Sequence, residues 1–432
     1  MIKQIVFLLV LLLTLAVFSY SAWRIFRLMR LLKPFPIKEF GKRFREMMVV
    51  AMFQSRIFRR PIVGLMHALV FWGFLVILFG SIEMIIDGLF GTERILSALG
   101  PVYTVLIFTG DVFALIVLIA IKAFLGRRIF MHIPRFYGVE MKPISKLDAN
   151  LALTLILLLM VSLLGMNIFY DLMSQRTAAS CFPVSHFIAG FIPVLETGTI
   201  HFWHELFWWT HIVLIFIFAN YLPYSKHFHV FMSVPNVFLS RLEPLGYLSH
   251  MPNIEKEVRM MMNPETAFAA APEGEAAPER FGVKDIEDVS WKTYFDSLAC
   301  TECGRCTSVC PANMTGKKLS PRKIIMDVRA RMKEKSNGLL KHGKTYDDQR
   351  ALLREFISEE ELWACTTCNA CARECPVSIN HPSIIVDMRR FLVMEEAAAP
   401  AALNSMFSYI ENNGAPWQYP AEDREIWMNN MN

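Results

Sequence analysis

The sequence predicts a mainly α-helical protein in which a five-helix transmembrane bundle is followed by a helical, cysteine-rich C-terminal domain. The 432 residues are 54% hydrophobic yet 19% charged, too apolar for an ordinary soluble protein and too polar for a chain buried in membrane throughout. Eight of the 9 cysteines fall in two short runs near the C-terminus. The net charge of +5 is modest and its basic residues flank apolar segments, so nothing favours nucleic-acid binding.

Five apolar stretches reach the length of about 20 residues that a hydrocarbon core requires. The first of them lacks a small-residue cleavage site and runs directly into Arg24, Arg27 and Arg30, which predicts a retained anchor and not a signal peptide. The predicted spans are Ile5–Phe26, Pro61–Phe90, Val102–Leu125, Leu151–Tyr170 and Trp203–Leu222.

The loops between these spans differ in charge. Residues 24–60 carry eleven Lys or Arg against two Glu, and residues 127–146 are also basic, whereas the other two loops have few positive charges. The positive-inside rule then places the N-terminus outside and the C-terminal domain in the cytoplasm, at a bacterial inner membrane. Clustered thiolates suit a reducing compartment, so the cysteines predict the same orientation independently.

Both cysteine runs read C-x2-C-x2-C-x3-C-P, the spacing of two-cluster ferredoxins. The first three thiolates of each run can surround one cluster, while the fourth, before a proline, ligates the other cluster. Zinc prefers two CxxC pairs and fits this spacing badly. Cys181 stands apart and is predicted to be a loop or packing residue. The predicted 4Fe–4S ligands are Cys300, Cys303, Cys306 and Cys375 for the first cluster, and Cys365, Cys368, Cys371 and Cys310 for the second.

The segment between the runs shows helical patterning at 324–332 and 346–358. With its two motifs, this region resembles the helical ferredoxin module of the heterodisulfide reductase C subunit and of fumarate reductase-type iron–sulfur subunits. We divide the chain into a transmembrane domain at 1–240, an Ala/Pro/Glu-rich linker at 241–282, a dicluster ferredoxin domain at 283–395 and a partner-docking tail at 396–432.

Histidines inside a bilayer are costly and therefore functional candidates. His67 lies on the second span and His211 on the fifth, with His229 just beyond it. The last two would lie roughly 27 Å apart along a helix, too far to share one iron. The stretch from His211 through Pro223-Tyr-Ser-Lys to His229 resembles the last helix of the respiratory nitrate reductase gamma subunit, a five-helix dihaem cytochrome b. Its family includes the membrane subunit of heterodisulfide reductase.

By this resemblance, His67 and His229 would bind a haem b on the cytoplasmic side. The second ligand position of the family, ten residues after the first, falls here on Ile77, so His211 lacks its usual partner for a possible second haem. A transmembrane histidine can also simply hydrogen-bond a neighbouring helix. Either the outer haem is absent, or another histidine substitutes; the candidates are His186, His201 and His204.

The tail 411–427 resembles the segment that leads into the cysteine-rich catalytic domain of heterodisulfide reductase-like oxidoreductases. No cysteine follows Cys375 in this sequence, so the CCG motifs of that domain are not expected here. We therefore expect an electron-transfer subunit working between a membrane quinone and a cytoplasmic partner, either a CCG-domain protein or a flavoprotein. The alternatives are a membrane-tethered iron–sulfur sensor, and an electron carrier that reaches the quinone without haem.

Overall fold

The computed structural model describes residues 1–175, 181–263, 280–418, 420–429 and 431. Within these ranges the secondary structure is helical, and strand-like pairing is limited to isolated bridges between Lys33 and Ser290 and between Leu353 and Ile357. Five of the described helices are long and apolar enough to cross a membrane. The predicted fold class, a five-helix bundle followed by a helical domain, is confirmed.

The N-terminal half consists of long apolar helices separated by short ones. The long helices are α1, α3, α4, α5 and α7, each of which begins or ends within a few residues of a predicted span. A π-helical stretch, Met47–Met52, continues the short α2. The helices are α1 (Ile2–Arg30), α2 (Phe40–Glu46), α3 (Pro61–Phe90), α4 (Pro101–Phe130), α5 (Pro143–Met173), α6 (Pro183–Ala189), α7 (Thr197–Tyr221), α8 (His229–Phe238) and α9 (Pro252–Met262).

Helix order in the bundle follows from the contacts. Helices α3, α4, α5 and α7 contact one another in sequence, and α1 contacts both α3 and α7 to close the ring. Small residues allow the close approaches, since a Cβ on Gly88 would stand 2.6 Å from the Phe7 ring, and one on Gly165 would stand 2.8 Å from the Phe207 ring. The ring encloses space between its helices, which the candidate sites occupy.

The C-terminal half is a set of shorter helices around an apolar core. Ile324, Val328 and Met332, from successive turns of one long helix, are all fully buried there with Met388 and Leu392. The helices are α10 (Trp291–Ala299), α11 (Arg305–Ser308), α12 (Pro311–Met314), α13 (Pro321–His342), α14 (Glu359–Trp363), α15 (Ala370–Glu374), α16 (His381–Met394), α17 (Ala401–Asn413) and α18 (Ile426–Asn429).

The prediction of a helix at residues 346–358 is wrong. Leu353 has an extended ψ of 135° and Arg354 a positive φ of 73°. Tertiary hydrogen bonds take the place of helical ones: the Leu353 amide donates to the Lys284 carbonyl at 3.0 Å, and the buried Arg331 donates to the Arg350 carbonyl at 2.7 Å. The local pattern predicted a helix, but contacts with distant segments determined the backbone.

The cysteine-rich domain lies directly against one end of the bundle. Its core includes Leu28 in the last turn of α1 and Leu32 just after it, and Leu222 and Phe228 from the turns that follow α7. Much of the segment predicted as a tether, residues 264–279, lies outside the described ranges. The proposed domain boundaries stay a prediction, but the two halves share one continuous core.

Buried ion pairs cross this junction. Arg322 of α13 contacts Glu140, in the loop between α4 and α5, at 2.8 Å, and the two side chains are 1% and 4% exposed. The same guanidinium donates to the carbonyl oxygens of Arg135 at 2.6 Å and Tyr137 at 3.1 Å. An unpaired buried charge is costly. Arg322 and Glu140 belong to different halves of the protein, so each is paired only when the two halves are docked.

A second buried set lies nearby. Lys226, just after α7, contacts Glu302 of the first cysteine motif at 3.1 Å. Asn236 of α8 donates to Asp296 at 2.9 Å and to the Val377 carbonyl at 2.8 Å. Together with Arg322, these contacts fix the orientation of the domain against the bundle.

We predict that Glu140→Ala weakens the junction strongly, because it leaves Arg322 buried without its carboxylate, a change that typically costs about 3–5 kcal/mol. Urea unfolding of the purified full chain in detergent, followed by tryptophan fluorescence, measures the free energy of unfolding. Glu360→Ala is the control, since its pair with Lys318 is exposed, and should change stability far less. Equal effects of the two variants would show that the Arg322–Glu140 pair does not hold the junction.

Candidate metal centres

The two cysteine motifs adopt the same local backbone. In the first, Glu302 and Gly304 have positive φ values of 57° and 72°, and in the second Thr367 and Asn369 have 54° and 60°. A short helix follows in each case, α11 or α15, carrying the third cysteine. Left-handed residues at these positions let the chain curl tightly enough for thiols three residues apart to face a common space.

Two groups of cysteines come together in the structure. Cys310 from the first motif lines a small cavity with the three cysteines of the second, Cys365, Cys368 and Cys371. Cys306 lies among Cys300, Cys303 and Cys375, and its own burial together with these thiols raises its pKa. Each motif thus contributes its fourth cysteine to the group formed by the other. Iron ligation by these groups stays a prediction.

The thiols are largely buried. Burial raises the pKa of Cys300 to about 11 and that of Cys371 to about 12, so without metal they are protonated at neutral pH. Iron binding requires thiolates and therefore releases protons. Among the described residues, no three His, Cys, Asp or Glu side chains are arranged to hold a single metal ion. Donor type and spacing suit a multi-iron cluster at each group.

A cavity of about 420 Å³ lies in the bundle on the side of the cysteine-rich domain. Both histidines predicted to hold a haem line it: His67 from α3 and His229 from the start of α8. Cys303 and Arg305 of the first motif line the same cavity. Most of the remaining wall is apolar and includes Val70, Phe71, Phe74, Ile156, Ile215 and Phe218. We call this space the inner cavity.

The ring of His229 is held as in metal ligands, with one nitrogen hydrogen-bonded and the other free. His229 Nδ1 lies 3.3 Å from the Lys226 carbonyl oxygen, which leaves Nε2 as the free donor atom. Burial lowers the pKa of His229 to about 4, so the ring is neutral at pH 7, as ligation requires. Among the described residues, His67 Nδ1 is buried without a hydrogen-bond partner, which is unusual for a histidine that has only a packing role.

A second cavity of about 510 Å³, the outer cavity, lies at the other end of the bundle. Its wall includes Gln4, Glu83, Tyr103 and His204. Glu83 is held by the Leu96 amide and the Tyr103 hydroxyl, whereas Gln4 Oε1 is buried without a hydrogen-bond partner among the described residues. The outer cavity is therefore more polar in character than the inner one.

His211 lies between the two cavities and lines both, with Ile77 and Ser81. Its Nδ1 is 3.0 Å from both the Leu159 carbonyl oxygen and Ser162 Oγ. His211 is thus fixed in orientation, and the neighbouring position on α3 is the apolar Ile77, as the sequence indicated.

The proposed substitutes for a second haem ligand are badly placed. His201 and His204 lie on α7 with His211, and residues seven apart on one helix are roughly 10 Å apart on the same face. They cannot flank one iron from opposite sides. His186 is held by Asp171 at 3.0 Å and is not part of either cavity wall. Among the described residues, His211 has no opposing histidine.

Some residues of the inner cavity were missed from sequence. Arg135 lies in the 3-10 turn Pro134–Phe136 between α4 and α5, in a loop whose positive charges indicated only topology. Glu302 and Arg305 lie between the cysteines of the first motif. The prediction there rested only on the spacing of the cysteines and not on the charged residues between them. Lys226 belongs to the turn after α7 that resembled the nitrate reductase gamma subunit.

Comparison with known proteins identifies the C-terminal region. A family model described as a 4Fe-4S dicluster domain matches residues 299–379. The chain is 30% identical over 427 residues to a probable iron-sulfur-binding oxidoreductase, FadF, of Bacillus subtilis, covering 90% of this chain and 56% of that protein. It is 29% identical over 407 residues to an EtfAB:quinone oxidoreductase of Syntrophomonas wolfei, covering 87% and 52%.

A shorter match is to a subunit of a heterodisulfide reductase. The chain is 34% identical over 106 residues to the C subunit of a CoB-CoM heterodisulfide reductase of Methanosarcina acetivorans, covering 24% of this chain and 52% of that protein. The chain spans about half the length of these relatives. No solved structure matches it. The likeness of the bundle to the nitrate reductase gamma subunit rests on the α7 motif and stays a prediction.

These comparisons and the helices together show a membrane protein with a 4Fe-4S dicluster domain whose relatives are iron–sulfur oxidoreductases. The relatives indicate electron transfer through 4Fe–4S clusters.

We predict that the anaerobically purified chain contains about eight iron and eight sulfide, the content of two 4Fe–4S clusters. Cys371→Ser should remove about half of both, because it deletes one ligand of a single group. Cys181→Ser is the control and should retain the full content. Iron and acid-labile sulfide assays give the answer; stoichiometric zinc, or an equal loss in the Cys181 variant, would contradict the assignment.

Proposed function

We propose that this chain is the membrane electron-transfer part of a quinone-linked oxidoreductase, carrying electrons between membrane quinone and a cytoplasmic catalytic partner through one haem b and two 4Fe–4S clusters. The observation that carries the proposal is the shared wall of the inner cavity. Two histidines from different helices and Cys303 of the dicluster domain face the same space.

The donor set of the inner cavity fits a haem. His67 and His229 supply neutral imidazoles from separate helices, and the cavity volume of about 420 Å³ falls in the range of roughly 300–1,000 Å³ typical of cofactor sites. Most of the wall is apolar, and the buried Nδ1 of His67 lacks a partner among the described residues. A haem b bound here would supply reversible one-electron chemistry.

The chain's own residues would determine the route of electrons. Cys303 lines the inner cavity, which puts the Cys300, Cys303, Cys306 and Cys375 group next to the two histidines. The second group is adjacent to the first, since Cys371 lies close enough to Cys306 to raise its pKa, after the effect of burial and of the nearer thiols. Cys368 of that second group is exposed. We propose that electrons pass between the partner and the protein at Cys368.

We propose that the outer cavity receives the quinone headgroup. One relative is named an EtfAB:quinone oxidoreductase, which supports quinone as the membrane reactant. Oxidation of a quinol releases two electrons and two protons, and the outer cavity offers the Glu83 carboxylate and the His204 imidazole to accept protons. Within the described part of the chain, only Ile77, Ser81 and His211 line both cavities, so electrons would cross a short distance to the inner cavity.

The partner is proposed from chemistry and likeness. Clusters relay single electrons, so the two-electron conversion of a substrate requires another centre, such as a CCG domain or a flavoprotein. The relative named as the C subunit of a heterodisulfide reductase supports a complex in which clusters and catalytic centre lie on separate subunits. Orientation in a bacterial inner membrane with the cluster domain in the cytoplasm belongs to the same proposal and is supported by the loop charges.

We predict a low-spin haem b spectrum in the purified chain, reduced on anaerobic addition of a menaquinol analogue. His67→Ala and His229→Ala should each abolish this spectrum, because each removes one of the two imidazoles that would hold the haem. His211→Ala should retain it, and His186→Ala, outside both cavities, is the matched control. Optical spectra and haem extraction provide the measurement.

Two results would contradict this assignment. Wild-type protein with both clusters but no Soret band would exclude the haem and favour the haem-free carrier or the sensor. Loss of the spectrum in His211→Ala, with retention in His67→Ala, would show that the ligand pairing is wrong.

A further inference from the structure

Arg135 has the strongest unmet hydrogen-bonding capacity in the inner cavity. Its Nε and Nη1 atoms are buried, and neither has a hydrogen-bond partner among the described residues. The side chain lines the inner cavity and lies against the Phe136 ring, with its guanidinium carbon 5.2 Å from the ring centre. A guanidinium presents donors in a fixed fork that suits carboxylate oxygens, so its orientation indicates an anionic ligand.

The neighbouring positive charges also favour an anionic ligand in the inner cavity. Arg128, Lys226 and Arg305 line the same cavity, while the one carboxylate of the wall within the described residues, Glu302, already binds Lys226 and Arg329. Burial, and then the nearby Arg60, lower the pKa of Arg135 to about 10. The guanidinium is still charged at pH 7, and its buried Nε and Nη1 atoms have no counterion among the described residues.

The other cations of the wall are better satisfied. Arg128 Nε donates to Asn150 at 3.3 Å, and Arg305 Nη1 donates to the Arg56 carbonyl at 3.0 Å. Lys226 contacts Glu302 and the Ser145 hydroxyl. Among the cations of this wall, Arg135 is therefore the one whose hydrogen-bonding atoms are left for a ligand.

The backbone of Arg135 is fixed by the cluster domain. Its carbonyl accepts from Arg322 at 2.6 Å. A Cβ on Gly304 would stand 2.5 Å from the same carbonyl oxygen, so the close approach requires glycine, which also adopts the φ of +72° found there. The turn that carries Arg135 thus lies against the loop between Cys303 and Cys306.

We infer that Arg135 binds a propionate carboxylate of the haem held by His67 and His229, and so turns the carboxylate edge of that haem toward the Cys303 loop. The inference rests on the proposed haem site. It makes Arg135 a positioning residue that couples the haem to the first cluster group, since one turn of chain contacts both.

Removal of this cation has a defined electrostatic consequence. With Arg135 replaced by a neutral residue, the propionate charge near the iron is no longer compensated. Negative charge favours ferric over ferrous iron, so the midpoint potential of the haem should fall. Loss of a charge-assisted hydrogen bond should also weaken haem retention, by about tenfold or more.

The test compares Arg135→Gln with Arg135→Lys and Arg127→Gln in the full chain. Arg127 lies in the last turn of α4, near enough to Arg135 to act on its charge, but does not line the inner cavity. Its variant therefore controls for loss of one positive charge in the same region. Haem content after detergent washing and an optical redox titration are the measurements. Arg135→Gln should lower both, Arg135→Lys should restore the potential in part, and Arg127→Gln should match wild type.

A second arm identifies the anion. Apoprotein is reconstituted with haem or with haem dimethyl ester, which lacks propionate charges. If Arg135 binds a propionate, esterification and Arg135→Gln remove the same interaction, and their effects on haem retention should not add. Additive effects would mean that Arg135 binds another anion, such as a lipid phosphate, and would overturn the inference.

Failure of the proposed function and failure of the Arg135 inference give different results. Wild-type protein without haem refutes the proposed function. Wild-type protein with haem, together with an Arg135→Gln variant of unchanged potential and haem retention, refutes only the role of Arg135.

Discussion

The arrangement of the whole molecule depends on buried ion pairs that join the cysteine-rich domain to the bundle. Arg322 with Glu140, and Lys226 with Glu302, are nearly inaccessible to solvent. Such pairs contribute less to net stability than to a unique geometry, because an alternative docking would leave charges buried and unpaired. The inner cavity exists through this geometry, since its wall combines bundle helices with the Cys303 loop. An electron carrier depends on a fixed, short separation between its redox centres more than on catalytic groups.

The two ends of the bundle differ in a way that suits two tasks. The inner cavity is mainly apolar and has histidines on two helices, whereas the outer cavity has Glu83, Tyr103 and His204 in its wall. Ile77 stands between them where a second ligand would be needed for an outer haem. With no opposing histidine for His211 among the described residues, the outer cavity is better suited to a polar headgroup that exchanges protons. The proposed route then runs from that headgroup, through the inner cavity, to the clusters.

Local patterns accounted for much of this from the sequence. The spans followed from apolar length, and the cysteine grouping from the C-P ending of each run, since both are properties of short segments. Features that depend on long-range contacts were not predictable. Residues 346–358 lost their predicted helix to hydrogen bonds with Lys284 and Arg331. From the sequence, Arg135 was only one of the positive charges used to orient the helices in the membrane. Its position in the wall of a cavity beside Cys303 depends on the docking of the cluster domain.

The central claim is that the inner cavity holds a haem between His67 and His229, next to the Cys300, Cys303, Cys306 and Cys375 group. An experimental density map of the anaerobically purified chain, with iron located by its anomalous scattering, tests this most directly. The account predicts a single iron between the two imidazoles, and two multi-iron centres of which the nearer one is bound by Cys303. A lipid or solvent in the inner cavity, with no iron between His67 and His229, would contradict it.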